Sequence, residues 1–266
     1  MKPSLSADTS NNHVQGSVQF RFYAELNAFL SPPNRFATFT YPLTGRTSVK
    51  HAIEALGVPH TQVDFILINH QPADFEQILA SDDLISVYPK FETLNIASLT
   101  RLRARPLRET RFVLDVHLGK LAVYLRLLGF DCWYRNQVED QELAHVSTGE
   151  ERILLTRDRG LLKRKTVTHG YALLNTSPRL QAVEILRHFD LMDQAAPFRR
   201  CLVCNALLEE VSKEDVCNSL PHDARLYYDE FKRCPSCRRI YWKGSHYQRM
   251  LSFLHDILAE TNRLTD

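Results

Sequence analysis

The sequence predicts an α/β protein: a parallel sheet flanked by helices, followed by a small metal-stapled module and preceded by a smaller mixed block. Three observations carry this. From Arg111 onward, short apolar strands alternate with helical periodicity, the pattern of a parallel sheet with crossover helices. Cys201-Leu-Val-Cys204 and Cys234-Pro-Ser-Cys237 form two Cys-x-x-Cys knuckles, each aiming two sulfurs at one point. Ahead of both, residues 16–92 run strand, strand, helix, strand, strand.

Residues 1–15 are polar and predicted to be disordered. In the block 16–92, Val18, Phe20, Phe22 and Ala24 alternate with Gln19, Arg21 and Tyr23, the period-two pattern of a half-buried strand. Phe36 and Phe39 mark a weaker second strand. Ser48 precedes Val49, Ile53, Ala55 and Leu56, and Gly57 follows, which predicts a short helix with a cap and a stop. Phe65–Ile68 and Leu84–Tyr88 are predicted strands, separated by a loop carrying Pro72. That order is the order of a ubiquitin-like β-grasp, and the block looks like the ubiquitin-like sulfur carriers. A carrier presents a free Gly-Gly terminus, whereas this strand runs through Pro89-Lys90-Phe91 into an Arg-rich linker, residues 93–110. The block therefore reads as a docking or substrate-orienting module, a place for a protein partner, and not as a carrier.

The α/β pattern occupies residues 111–195. Arg111-Phe-Val-Leu-Asp115 is an apolar strand ending in an acid. Leu118, Leu121, Ala122, Leu125 and Leu128 recur at helical spacing until Gly129. Asp131 opens the strand Cys132-Trp-Tyr134, and Asp140-Gln-Glu-Leu-Ala starts a helix with acids in its first turn. Ile153–Thr156 and Tyr171–Leu174 are further strands. The carboxyl ends of parallel strands form a ligand crevice, and Asp115 and Asp158 fall there. Residues 196–266 hold the knuckles and an amphipathic helix whose stripe of Met250, Leu251, Leu254, Ile257 and Leu258 is expected to pack in the core.

Composition excludes little by itself. The 266 residues carry 33 Lys and Arg against 31 Asp and Glu, so the whole chain is nearly neutral. The distribution says more. Arg101, Arg103, Arg105, Arg108 and Arg111 crowd one stretch, and Arg157, Arg159, Lys163, Arg164 and Lys165 another, as phosphate-binding clusters do. The polar N-terminus has no apolar core of a signal, and no stretch approaches the roughly 20 apolar residues that span a bilayer. A cytoplasmic protein is expected, without membrane contact, whose reduced thiols are free to bind metal.

Four thiolates in two knuckles suit tetrahedral Zn²⁺ with a closed shell, a structural role. The carboxylates suggest a second metal. Phosphodiester hydrolysis needs activated water and shielded charge, and Mg²⁺ or Mn²⁺ held by acids supplies both. Asp115, Asp158 and either Asp140 or Glu142, with Asp131 nearby, could form such a cage. Lys120, Arg126 and Arg157 could orient a phosphate; equally, these charges could form an ordinary ion-pair network.

The run Asp115-Val-His-Leu-Gly-Lys-Leu-Ala-Val-Tyr-Leu-Arg-Leu-Leu-Gly-Phe-Asp131, with Ile153-Leu-Leu-Thr-Arg-Asp-Arg-Gly-Leu-Leu162 and Arg233-Cys-Pro-Ser-Cys-Arg-Arg-Ile-Tyr-Trp-Lys-Gly-Ser-His-Tyr247, closely resembles the Mut-seven C-terminal ribonuclease family. That resemblance covers residues 16–255. It implies a PIN-like nuclease domain with a zinc ribbon behind it and a ubiquitin-like domain in front. It also implies that Asp115, Asp158 and the acids near Asp140 and Glu142 bind divalent metal. Asp131 matches the acid closing the family's first helix motif, and Thr156 and Arg157 match its Thr-Arg-Asp signature. His117 departs from the pattern, where an apolar residue is expected. The resemblance implies a metal-dependent ribonuclease acting on RNA. A non-catalytic RNA-binding adaptor is the rival reading, and a sulfur-transfer accessory protein a third.

Overall fold

A computed structural model describes residues 14–89 and 109–263. The arginines Arg101, Arg103, Arg105 and Arg108, and residues 1–13 of the predicted disordered segment, lie outside the described residues. The chain divides into two compact units, Met1–Arg105 and Pro106–Asp266.

In the first unit, β1 (Val14–Phe22) pairs antiparallel with β2 (Phe39–Thr44) and α1 (Val49–Ala55) follows. Strands β3 (Phe65–Ile68), β4 (Gln71–Pro72) and β5 (Leu84–Tyr88) complete one mixed sheet in the order β2-β1-β5-β3-β4, with β1 and β5 parallel. This is the expected β-grasp arrangement. Val18, Phe20 and Phe22 are buried with Ile53 of α1 and with Ile66, Ile85 and Val87, while Gln19 and Arg21 are exposed. Ser48 caps α1, its Oγ accepting from the His51 N–H at 3.3 Å.

The departures are local. Alternation stops at Phe22, because Ala24 has a φ of 46° and opens a 3₁₀ turn, Ala24–Phe29. Asn27 secures that turn, donating to the Phe22 carbonyl at 3.0 Å and accepting from the Phe36 N–H at 2.7 Å. Phe36 is 74% exposed and lies outside β2. Pro72 sits in β4 at the sheet edge, where a missing N–H costs no ladder bond.

In the second unit, strands and helices alternate: β6 (Arg111–Leu114), α2 (Gly119–Leu127), β7 (Asp131–Trp133), α3 (Asp140–Gly149), β8 (Ile153–Thr156), α4 (Arg159–Leu162), β9 (Gly170–Ala172) and α5 (Pro178–His188). The strands are all parallel, in the order β7-β6-β8-β9. Successive strand residues point to opposite faces. Phe112, Leu114, Ile153 and Leu155 join Leu121 and Leu125 of α2 and Ile185 of α5 in one buried cluster. Val113 and Leu154 face the other way, toward the side where α3 and α4 pack. Gly129 ends α2 with a φ of 97°, and a Cβ there would lie 2.2 Å from the Ala196 carbonyl oxygen, so no other residue fits.

The ribbon follows, with β10 (Glu209–Val211), α6 (Lys213–Val216), α7 (His222–Tyr227), β11 (Phe231–Arg233) and β12 (Ile240–Trp242). Its strands form an antiparallel sheet in the order β10-β11-β12. Helix α8 (Ser245–Arg263) then returns to α5 and buries Leu254 and Ile257 in the cluster of Phe112 and Leu155. The apolar stripe predicted for this helix is core packing, with Leu251 left 38% exposed at its margin.

Candidate functional site

The sheet order fixes where a site belongs. The chain passes from β6 out to β7 on one side, and the next connection, from β7 through α3, crosses back to β8 on the other side of β6, so the winding reverses between β6 and β8, and open α/β sheets bind ligands beside the carboxyl ends at such a point. Asp115 immediately follows β6, and Asp158 lies just past β8. Thr156, the fully buried last residue of β8, links them. Its Oγ1 donates to Asp115 Oδ2 at 2.6 Å and accepts from the Asp158 N–H at 2.9 Å. The Asp115 N–H donates to the Leu155 carbonyl at 3.1 Å, extending the strand pairing to the acid itself. Asp158 Oδ1 accepts from the Gly160 N–H at 2.7 Å and so caps α4. Asp115 is buried to 9% exposure, while Asp158 is open to solvent.

Lys120 is exposed in the first turn of α2, and Arg157 is exposed between Thr156 and Asp158. Asp140 and Glu142 stand in the first turn of α3. Asp140 Oδ2 lies 3.2 Å from Arg164 Nη2 and Glu142 Oε1 lies 2.8 Å from Arg135 Nη1, both in solvent-exposed pairs. Among the described residues, neither acid closes a group with Asp115 and Asp158 whose ligand atoms all lie within 4.8 Å. Tyr134 was not singled out by sequence. Its hydroxyl donates to the Val116 carbonyl at 2.9 Å and fills the space over Gly119, where a Cβ would sit 2.6 Å from it. Tyr134 thereby pins the turn that joins Asp115 to α2.

Asp131 and Arg126, expected among the catalytic groups, lie elsewhere. Asp131 opens β7 in register with Arg111, so it is at the amino edge, four residues or roughly 13 Å of strand from the level of Asp115. Arg152 Nη1 reaches Asp131 Oδ1 at 2.6 Å, Asn205 Nδ2 donates to the same oxygen at 2.9 Å, and Arg200 Nη2 stands 3.4 Å from Oδ2. Burial works to raise the Asp131 pKa, but the hydrogen bonds from Arg152 and Asn205 and the charges of Arg152 and Arg200 outweigh it and hold the carboxyl below its ordinary range. Arg126, 3% exposed, donates to the Cys132 carbonyl at 2.7 and 3.0 Å and to the carbonyls of Leu202 and Val203 at 3.2 and 2.8 Å. Both residues are spent on docking the first knuckle against α2 and β7.

The two knuckles share one local geometry. The Cys201 N–H donates to the Ala206 carbonyl at 2.8 Å and the Asn205 N–H to the Cys201 carbonyl at 3.0 Å; the Cys234 N–H donates to the Arg239 carbonyl at 2.9 Å and the Arg238 N–H to the Cys234 carbonyl at 3.0 Å. Asn205 and Arg238 both adopt positive φ, 71° and 61°. The four sulfurs lie within 4.8 Å of one another, with Cys201 and Cys237 at 3.5 Å and Cys204 and Cys234 at 3.3 Å. Those separations are too long for disulfides. They suit a tetrahedral ion with bonds of about 2.3 Å, so the donor set could hold zinc. The Cys204 thiol is held down to about 6, where burial opposes the change but the Ala206 backbone and the neighbouring thiols prevail.

A family model described as the Mut7-C RNAse domain matches residues 110–254, more than half of the chain. The chain belongs to the Mut7-C RNAse domain family. A second model, described as Mut7-C ubiquitin, matches residues 15–95, the β-grasp unit. No curated protein and no solved structure matches the chain. The Mut7-C RNAse match spans both the parallel sheet and the knuckles, which agrees with their common hydrophobic cluster and the Asp131 junction. Among the described residues, no helix of this Mut7-C chain is long and apolar enough to cross a membrane.

Proposed function

We propose that this chain is a metal-dependent ribonuclease, PIN-like in mechanism, that hydrolyses RNA at the carboxyl edge of its parallel sheet. The observation that supports it is the Asp115–Thr156–Asp158 linkage at the reversal of winding. Thr156 and Gly160 each engage one oxygen of a carboxylate, which leaves a second oxygen on each acid. Hard oxygen donors with open positions fit Mg²⁺ or Mn²⁺, which when bound supplies charge neutralisation and a more acidic water. Thr156 orients Asp115, and Asp158, exposed, is placed to take the proton of the attacking water. One P–O bond forms with that water as the ester P–O bond breaks, and the departing sugar oxygen takes a proton from solvent. Lys120 and Arg157 are the exposed cations suited to the phosphate oxygens. Asp140 and Glu142 each give one oxygen to an arginine, Arg164 and Arg135, and stand outside this pair of acids.

The four-cysteine centre is proposed to hold a structural Zn²⁺, since a full Cys₄ shell leaves no position for substrate. The Mut7-C ubiquitin unit is proposed to dock a protein partner or orient RNA, in a cytoplasmic setting. The rival reading, a non-catalytic RNA-binding adaptor, draws support from the ion pairs of Asp140, Glu142 and Asp131. Incubating the purified protein with mixed cellular RNA, with Mg²⁺ or Mn²⁺ against excess chelator, separates them. Cleavage that chelator abolishes supports the ribonuclease; RNA that is bound but intact under every condition supports the adaptor.

A further inference from the structure

The ribbon carries two cavities that the hydrolytic site does not use. One measures about 540 Å³ and the other about 320 Å³, and both are lined by residues of the edge strand β12. Tyr241, Trp242 and Tyr247 line both. Phe198 adds a ring on the larger side, its centroid 4.2 Å from that of Tyr247 at an angle of 37°. Trp242 and Tyr247 are half-buried, and Trp242 also packs against the small apolar cluster of Val216, Leu220, Ala224 and Phe231. Aromatic side chains that line a cavity can stack nucleobases of either purine or pyrimidine type.

The charges of the two spaces differ. The larger is lined by the acids Glu210, Asp229 and Glu230 and by the cations Arg200, Lys232 and Lys243, with Glu230 paired to Lys243. Carboxylates repel a phosphate but accept hydrogen bonds from exocyclic amino groups of bases. The smaller has Arg239 and His246 on its wall and no acid. That lining suits a phosphate oxygen.

We propose that the two cavities form a single-stranded RNA subsite, in which an amino-bearing base stacks on Trp242 in the larger cavity and the adjoining phosphate lies toward Arg239 and His246. This rests on the reading of RNA as substrate. Arg200 lines the larger cavity and also meets Asp131 at the amino edge of the sheet, so the subsite is remote from Asp115 and Asp158. It therefore engages a distal stretch of the strand being cut and favours long RNA over short fragments.

The test uses the full chain carrying Asp158→Asn, to leave RNA uncut, and Trp133→Phe, which makes Trp242 the sole tryptophan of the two in the sequence. Fluorescently labelled oligocytidylate and oligouridylate are titrated, with binding followed by anisotropy and Trp242 emission followed in parallel. Quenching of Trp242 on binding and tighter binding of oligocytidylate are expected. Trp242→Leu should weaken affinity about 5- to 100-fold, with Trp242→Phe restoring most of it. Should Trp242→Leu fail to fold, Arg239→Gln and Glu210→Gln give the same information, the first weakening both oligomers and the second erasing the preference for cytidine. RNA that binds without changing Trp242 emission, or RNA that does not bind at all, overturns the proposal. If Trp242 responds but the wild-type protein never cleaves RNA, the ribonuclease reading falls and the subsite stands.

Discussion

Arg126 Nη1 donates to the Val203 carbonyl at 2.8 Å, a bond that crosses from the last turn of α2 into the loop between Cys201 and Cys204. The guanidinium sits in a buried place, and burial pushes its pKa down, opposed by the nearby Cys132, Cys201 and Cys204. A cation is retained there because three carbonyls consume its donors. Arg126→Met is expected to lower stability by about 3 kcal/mol, since it strands those carbonyls without partners. The same variant should surrender zinc to a chromogenic chelator faster than the wild type, because partners beyond the ligands tune metal retention. Equal melting temperatures and equal release rates would refute it.

Zinc content is a separate matter. Protein purified without chelator should contain one equivalent of zinc, and Cys204→Ser or Cys237→Ser should lose it together with much of the thermal stability of the second unit. Elemental analysis and calorimetry check this. Metal binding and folding are linked, so chelation should unfold the ribbon and loosen the Asp131 junction with it.

Asp115→Asn and Asp158→Asn keep shape and remove charge. Cleavage should fall by at least the roughly 10- to 100-fold that loss of a partner outside the metal shell costs. Circular dichroism should be unchanged and melting unaltered or slightly raised, as two repelling acids become one. Wild-type rates in both variants would favour the adaptor.

Thr156 offers a finer probe. Thr156→Val removes a buried hydroxyl that both donates to Asp115 and accepts from Asp158, at a cost of about 1–3 kcal/mol. Activity should drop with it, and Thr156→Ser should recover most of the activity. A Val variant with full turnover would mean that the linkage does not orient the acids.

Asp131 sets a limb of the pH profile. Its carboxyl titrates below the ordinary value in the folded protein, so the unfolded chain binds a proton first as acid is added. The stability it contributes is fully present above the unfolded value of about 3.9, and drains away as pH falls from there through the folded value. Asp131→Asn should flatten that part of a stability curve relative to wild type, and leave the region above pH 6 parallel. Urea melts across the acid range measure it.

Much of this architecture was legible in the sequence because its signals are local. The four strands of the parallel sheet follow from apolar runs, α2 from 3.6-residue spacing, α3 from the acids of its first turn, and the knuckles from cysteines three apart, whereas α4 and α5 were not read from the sequence. The junction was not legible. Asp131 meets Arg152 and Asn205 from 21 and 74 positions away, and Arg126 finds carbonyls 76 and 77 residues on; no periodicity encodes such partners. An acid at a strand start reads the same whether it faces a phosphate or an arginine. Asp140 and Glu142 show the converse limit, since a helix N-terminus predicts where they stand but not that Arg164 and Arg135 reach them.

The return of α8 has a consequence for how the protein is made. Leu254 and Ile257 share a core with Phe112 and Leu155, so the sheet bearing Asp115 and Asp158 is synthesised long before the residues that complete its packing. A nascent chain cut short of residue 257 exposes the apolar sides of α2 and α5 where α8 would lie. The sheet that carries Asp115 and Asp158 therefore gains its full packing only after α8 has been made.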